Sequence, residues 1–292
     1  MTSAAFTTRF APSPTGYLHK GHAFSALTAF GAARAAGGRF ILRIEDIDST
    51  RVRPEYDAAL LEDLHWLGLS WEEPVRRQSG RLADYRAALD RLRAAGLAYR
   101  CFRTRKEVWG EIARAPHGPG EGPEQQVFRG APLPADKEAR RLQAGEAFAW
   151  RLSLDAARAA LGEAGWAALA FTEQGEGPDG ERGRIRARPE LAGDVVLARK
   201  DVGVAYHLAV TVDDALQGIT HVIRGQDLFQ ACHIQRLLQA LLGLPEPLYR
   251  HHPLLLSPAG QRLAKRDRAE SLREIRARRV GAAELRAELG FG

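Results

Sequence analysis

Arg9-Phe10-Ala11-Pro12-Ser13-Pro14-Thr15-Gly16-Tyr17-Leu18-His19-Lys20-Gly21-His22 is the stretch that decides the fold. A short extended run turns through Pro12, Pro14 and Gly16 into an apolar periodicity (Ala23, Phe24, Ala26, Leu27, Phe30) that predicts a helix. Two histidines three residues apart therefore fall at a helix N-terminus. There, unpaired backbone N–H groups and the positive end of the helix dipole favour an anion, and imidazole donors beside them can grip a phosphate. Gly21 between them leaves room for a flat group to approach the backbone. Taken one at a time, these residues also fit a proline-rich turn with surface histidines before an ordinary helix.

Beyond this helix Gly37-Gly38 breaks the pattern, and Arg39 to Ile44 reads as a second strand running into Glu45-Asp46-Ile47-Asp48-Ser49-Thr50. Strand, helix, strand begins a parallel α/β sheet, in which ligands sit beyond the carboxyl ends of the strands. The first turn and Glu45 then face one crevice. Asp48 or Ser49 is expected to cap the next helix, which starts near Pro54. Helical patterns cover 54–68 and 80–96, with Gly68 and Gly96 as stops, and Trp66, Leu67 and Trp71 read as core. A third strand is expected over 97–102.

With 292 residues the chain can bury a large core and accommodate two domains. Its 45% hydrophobic and 27% charged content is that of a soluble globular protein. A formal charge of +6, carried mostly by arginine, leans towards a polyanionic partner. Cys101 and Cys232 lie far apart and suggest neither a disulfide framework nor a cysteine-rich metal site. A reducing, cytoplasmic setting is expected. The N-terminus lacks signal-peptide character, no apolar run is long enough to cross a bilayer, and a monomer with no membrane partner is the expected state.

Taken whole, the opening stretch resembles the HIGH signature of class I aminoacyl-tRNA synthetases, in the R-x-A-P-S-P-T-G-x-L-H-x-G-H form of the glutamyl and glutaminyl branch. Lys20 replaces the usual apolar residue, at a position that does not face phosphate. Leu42-Arg43-Ile44-Glu45-Asp46-Ile47-Asp48 is similar to the family stretch whose glutamate holds the amino group of the amino acid. The run Val204 to Asp214, followed by Val222-Ile223-Arg224-Gly225-Gln226-Asp227-Leu228, resembles the same branch, and implies that Tyr206 and Arg224 line the amino-acid pocket. Leu256-Ser257-Pro258-Ala259-Gly260-Gln261-Arg262-Leu263-Ala264-Lys265 resembles the KMSKS loop: Arg262 and Ala264 replace a lysine and the serine, while Lys265 keeps the cation that neutralises phosphate. One such group is worth roughly 3 kcal/mol.

The residues from 103 to 193 are rich in Gly, Pro, Arg and Glu and read as an inserted domain. Gly175-Glu176-Gly177-Pro178-Asp179-Gly180 satisfies G-x-G-x-x-G, but a proline lies within it and no helix follows, so a hairpin loop is expected. Related synthetases often open the insertion with a zinc knuckle. Here only Cys101 matches, Arg103 stands where the second cysteine would be, and His117 cannot complete a four-ligand site, so no zinc is expected.

Strands are expected over 194–200, 204–214 and 219–225, then an apolar helix over 228–243 with Cys232 buried in it, and a helical tail over 268–292. On a strand, Asp213 and Asp214 would point to opposite faces, which weakens a two-carboxylate metal site. The resemblance thus implies an α/β fold: a class I synthetase Rossmann-type parallel sheet over 1–102 and 194–250, an inserted α+β domain over 103–193, and the KMSKS-like loop with a short helical C-terminal extension over 251–292. It further implies that glutamate is held by Arg9, Ala11, Ser13, Glu45, Tyr206 and Arg224, and ATP by Pro12, His19, Gly21, His22 and Lys265. His19, His22 and Lys265 are then the catalytic groups, with Mg²⁺ arriving on ATP. Ordinary glutamyl-tRNA synthetases continue into a large anticodon-binding domain; an outline ending near residue 292 is similar to the glutamyl-queuosine tRNA(Asp) synthetases, which load glutamate onto queuosine in the anticodon loop. A short synthetase charging the 3′ end of tRNA(Glu) and a non-catalytic synthetase-like binding protein are the alternatives.

Overall fold

The computed structural model describes residues 5–104, 106–108, 127–199, 203–255 and 270–292. In chain order its elements begin β1 (Thr7–Phe10), α1 (Lys20–Ala35), β2 (Arg39–Ile44), α2 (Pro54–Trp66), β3 (Arg76–Arg77), α3 (Leu82–Ala94) and β4 (Ala98–Cys101). There follow α4 (Ala135–Gln143), β5 (Ala149–Leu152), α5 (Leu154–Ala167), β6 (Ala170–Glu173), β7 (Gly183–Arg186), β8 (Val196–Arg199) and β9 (Gly203–Val204). The chain closes with α6 (Tyr206–Leu216), β10 (His221–Gly225), α7 (Ala231–Leu242), β11 (Leu248–His252), α8 (Leu272–Ala277) and α9 (Ala282–Glu288).

β1, β2 and β3 pair in parallel, with Thr7 opposite Arg39 and Phe10 opposite Leu42. β10, β11 and β6 also pair in parallel, and β7 runs antiparallel to β6 at the edge. The two sets meet at β1 and β10, where Thr220 N–H donates to Thr7 O at 3.0 Å and Thr7 N–H donates to Thr220 Oγ1 at 2.8 Å. The resulting order β3-β2-β1-β10-β11-β6 changes its direction of growth between β1 and β10. That is the switch point at which a doubly wound sheet opens a crevice beyond the carboxyl ends of its strands.

Ala23, Ala26, Ala29 and Ala33 are buried along α1, so small side chains let that helix lie close on the sheet. Leu272, Ile275 and Leu285 from the C-terminal segment join the same core. A second core gathers Tyr85, Leu89 and Leu92 of α3, Leu208 and Val212 of α6, and Leu237 and Leu238 of α7. Gly68 and Gly96 take positive φ (79° and 69°) just past α2 and α3, as stops should. Cys232 is buried in α7, and the glycine-rich 175–180 segment is the loop of the β6–β7 hairpin.

Four local expectations are corrected. The run 204–214 is not a strand: after the two-residue β9 it is helix α6, in which Leu208 to Asp214 are all buried. Alternation and β-branched content suggest a strand, but a segment buried on every side is set by its packing, and tertiary packing chose the helix. Second, β4 and β8 do not belong to the parallel sheet; with β5 and β9 they form a separate antiparallel sheet in the order β4-β5-β8-β9. That sheet draws strands from both sides of residues 103 and 193, because strand partners are set by long-range packing and not by local pattern. Third, neither Asp48 nor Ser49 caps α2, whose N-cap Arg53 makes no side-chain capping bond; Asp48 instead closes its own turn onto Thr50. Finally, Trp66 and Trp71 are only partly buried, at the margin of the core that holds Leu67.

The C-terminal segment is tied to the first turn. Leu272 N–H donates to Leu18 O at 2.7 Å, and Ser271 forms a bridge with His19 while capping α8 through Glu274 N–H. Leu272→Ala removes a fully buried side chain and is expected to destabilise the fold by about 2–5 kcal/mol. Thermal unfolding followed by circular dichroism would show the lowered midpoint.

Candidate active site

The crevice at the β1/β10 switch point is an open cleft of about 450 Å³. Every described residue assigned above to glutamate or ATP lines it: Arg9, Ala11, Pro12, Ser13, His19, Gly21, His22, Glu45, Tyr206 and Arg224. Lys265 lies outside the described residues. The flanks of its segment do reach the cleft: Leu254 and Leu255 line it, and Ser271 touches His19. The sequence reading missed Asp227, His252 and Ser25, which also line it; His252 Nε2 lies 3.1 Å from Ser25 Oγ. The His-His-Pro at 251–253, just ahead of the KMSKS-like loop, was the available signal.

The two histidines build the helix start. His19 is the N-cap of α1, and its Nδ1 accepts from Gly21 N–H at 3.1 Å; His22 Nδ1 accepts from His19 N–H at 3.2 Å. This reciprocal pair is a capping box made of imidazoles. With both Nδ1 atoms accepting, each neutral ring carries its proton on Nε2, so that each ring keeps a donor on its far nitrogen. A Cβ on Gly21 would approach His19 Cε1 to 3.0 Å and Nδ1 to 3.1 Å. Gly21 therefore makes room for the His19 ring, in addition to leaving the backbone open. Lys20 points away, to an ion pair with Glu288.

Opposite lies a buried ionic cluster that sequence pattern did not reveal. Arg43, with its side chain fully buried, donates from Nη1 to Asp214 Oδ1 at 2.8 Å and from Nη2 to Glu45 Oε1 at 3.2 Å. Arg9 Nε donates to Asp214 Oδ1 at 3.0 Å. Asp213 accepts from Arg76 Nε at 2.7 Å, Gln78 Nε2 at 2.8 Å and the Tyr85 hydroxyl at 2.8 Å. Because α6 is a helix, Asp213 and Asp214 sit about 100° apart on it and both face this cluster. They act as structural counterions there. Burial opposes the charge of Arg43, but Asp214, Glu45 and Asp213 outweigh it and raise its pKa. Burial likewise opposes ionised Asp214, yet Arg9 and Arg43 hold its pKa below the usual value. At Glu45 burial wins, and its pKa is raised in spite of Arg43 and Arg9. Glu45 is also fixed by backbone, since its N–H donates to Pro12 O at 3.0 Å.

On β10, Arg224 donates from Nε to His251 and from Nη2 to Cys232 and Gln235, while its Nη1 is buried with no partner among the described residues. A buried, uncommitted guanidinium nitrogen on a cleft wall is a fitting partner for a carboxylate. Tyr206, the first residue of α6, stands beside it, its hydroxyl pKa raised by burial against the pull of Arg224. Among the described residues no group of three or more His, Cys, Asp or Glu is arranged to hold a metal ion, and Cys101 packs with Tyr99, Val108 and Phe128. No helix among them is long and apolar enough to cross a membrane.

The family described as "tRNA synthetases class I (E and Q), catalytic domain" matches residues 5–159 and 169–285. The chain belongs to this class of synthetases, in its glutamate and glutamine branch. Within the class it is 47% identical to a glutamyl-Q tRNA(Asp) synthetase of Rhodobacter capsulatus, over 97% of this chain and 99% of that protein. A glutamate–tRNA ligase of Ruegeria pomeroyi is 41% identical over 92% of this chain, which spans only 57% of that ligase. The crystal structure of a glutamate tRNA ligase from Elizabethkingia meningosepticum in complex with its amino acid superposes with a TM-score of 0.70 at 28% identity, covering 90% of this chain and about half (52%) of that one.

Gly21→Ala is expected to push the His19 ring off its cap and to lower turnover with ATP by about 10-fold or more, the scale of a displaced positioning group; steady-state kinetics would read it. Burial lowers the pKa of His207 and of His233 to about 4 in each case, below the unfolded value. Their contribution to stability is complete above pH about 6.5 and is lost as pH falls through the folded value. Urea midpoints measured from pH 7 to 4 are expected to fall, and the fall to be shallower in His233→Gln.

Proposed function

We propose that this protein activates L-glutamate with ATP and transfers the glutamyl group to queuosine in the anticodon loop of tRNA(Asp). The observation that carries the chemistry is the cleft itself, where a histidine-capped helix N-terminus and a pair of cleft-lining arginines face one space beside Glu45 and Tyr206. The acceptor assignment rests on similarity over nearly the full length to proteins named glutamyl-Q tRNA(Asp) synthetase.

In this reading Arg9 and Arg224 receive the substrate carboxylates, Glu45 and Tyr206 hold the ammonium, and the backbone at Ala11, Pro12 and Ser13 shapes the floor between amino acid and nucleotide. An ammonium placed at Glu45 adds a positive charge to those of Arg43 and Arg9 and favours the ionised carboxylate that burial opposes. The α-carboxylate attacks the α-phosphate, forming glutamyl-adenylate and releasing pyrophosphate. The far nitrogens of His19 and His22, at the positive end of α1, and Lys265 stabilise charge on the phosphates, and Mg²⁺ enters as part of the ATP complex. A hydroxyl of queuosine then attacks the activated carbonyl and expels AMP. No covalent bond to the protein is needed; alignment and charge stabilisation carry both steps.

ATP–pyrophosphate exchange is expected with glutamate in the absence of tRNA, and stable glutamyl transfer to queuosine-containing tRNA(Asp) even after its 3′-terminal adenosine has been removed. Transfer only to an intact 3′ end of tRNA(Glu) would assign the chain to ordinary glutamate charging. Absence of exchange with any amino acid, with or without tRNA, would remove the enzymatic reading.

A further inference from the structure

Behind Arg224, on the side away from the cleft, lies a line of buried polar groups that glutamate activation as described does not use. Arg224 Nε donates to His251 Nε2 at 3.2 Å. Because a guanidinium has no acceptor, His251 Nε2 presents its lone pair, and the ring proton must sit on Nδ1. Nδ1 lies 2.6 Å from Glu173 Oε2, which accepts that proton's hydrogen bond. The other carboxylate oxygen, Glu173 Oε1, accepts from His251 N–H at 2.8 Å and from Gly175 N–H at 2.7 Å. Neither side chain has any exposed surface. Burial opposes ionised Glu173, but its hydrogen bonds from His251 and Gly175 prevail and lower its pKa. Burial and the charge of Arg224 lower the His251 pKa and keep the ring neutral.

Register makes the line possible. Arg224 on β10 is directly opposite His251 on β11, and β11 in turn pairs with β6 through Tyr249 and Glu173. Three adjacent parallel strands thus each contribute one member. The remaining contacts of Arg224, Cys232 Sγ and Gln235 Oε1, both at 3.0 Å, engage Nη2. Nη1 is then the nitrogen without a partner among the described residues.

We infer that Glu173 and His251 are positioning residues for substrate recognition: the carboxylate of Glu173 selects the His251 tautomer, and His251 in turn fixes the Arg224 guanidinium so that Nη1 is reserved for a carboxylate of glutamate. This rests on the proposed role of Arg224 in binding that substrate. The polarity of the line gives it an asymmetry that a packing role lacks. In Glu173→Gln, the amide oxygen keeps the two backbone N–H bonds and its NH₂ faces His251 Nδ1. That nitrogen must then accept, the proton moves to Nε2, and a donor confronts the Arg224 Nε–H.

The test combines two readouts on the full chain. Long-range ¹H–¹⁵N spectra of histidine-labelled protein, with His251 assigned by its absence in His251→Gln, are expected to show the Nδ1–H tautomer in the unaltered protein and the Nε2–H tautomer in Glu173→Gln. In ATP–pyrophosphate exchange, Glu173→Gln is expected to raise KM for glutamate by about 10- to 100-fold, the usual effect of removing an orienting partner, and to leave KM for ATP within about twofold. An Nε2–H or doubly protonated His251 in the unaltered protein overturns the inference, as does a Glu173→Gln variant whose two KM values rise together or not at all. Absence of glutamate-dependent exchange in the unaltered protein overturns the proposed activity instead, and the tautomer measurement still decides the line from Glu173 to Arg224.

Discussion

Charge burial at Arg43 is the constraint on which the rest of the structure depends. An arginine without exposed side-chain surface in the middle of a parallel sheet is tolerable only if its donors are met by carboxylates, because the cost of an unpaired buried ion is several kcal/mol. Asp214 and Glu45 meet it by hydrogen bonds, and Asp213 lies 3.8 Å from its Nε. These partners come from the end of β2 and from α6, which are far apart in sequence, so the pairing fixes how the two halves of the sheet face each other. Arg9 and Arg76 extend it, giving three arginines against Glu45, Asp213 and Asp214. Removing any one member would leave another charge buried and uncompensated, so the cluster acts as a unit.

The same cluster sets the character of the cleft. Arg9 and Glu45 are at once members of the ionic core and walls of the ligand space. Their positions are therefore settled before any ligand arrives, which is the preorganisation that a reaction carried by alignment requires. The opposite wall uses a different device, a helix N-terminus whose cap residues, His19 and His22, themselves line the cleft. There the same imidazole rings cap the helix through Nδ1 and line the cleft. Arg224 follows the same logic on β10, with Nε and Nη2 tied to protein and Nη1 uncommitted among the described residues.

Much of this was legible in the sequence. The turn at 11–16, the helix after it, the strand 39–44 and Glu45 at its end follow from local pattern, and the cleft collects them as the crossover geometry demands. The 204–214 run misled because a segment buried on every side has neither the period of a strand nor that of a helix. Its misreading also hid the roles of Asp213 and Asp214, which on a strand would have diverged. Glu173 and His251 were illegible for another reason: the His-His-Pro run marks the neighbourhood of the cleft, but nothing local ties His251 to a glutamate on a short strand, and their pairing arises only from register across β6, β11 and β10.

The sequence by itself determined the proline-rich turn ahead of α1, the residues that face the cleft from the strand ends, and the family to which the chain belongs, because these are written in contiguous stretches whose chemistry is local. Tertiary structure alone decided which strands share a sheet, that Asp213 and Asp214 serve as counterions, and that Arg224 is backed by a histidine and a carboxylate. Those outcomes depend on pairing between segments tens to hundreds of residues apart, and on the energetic need of each buried charge to find its partner wherever the fold brings one.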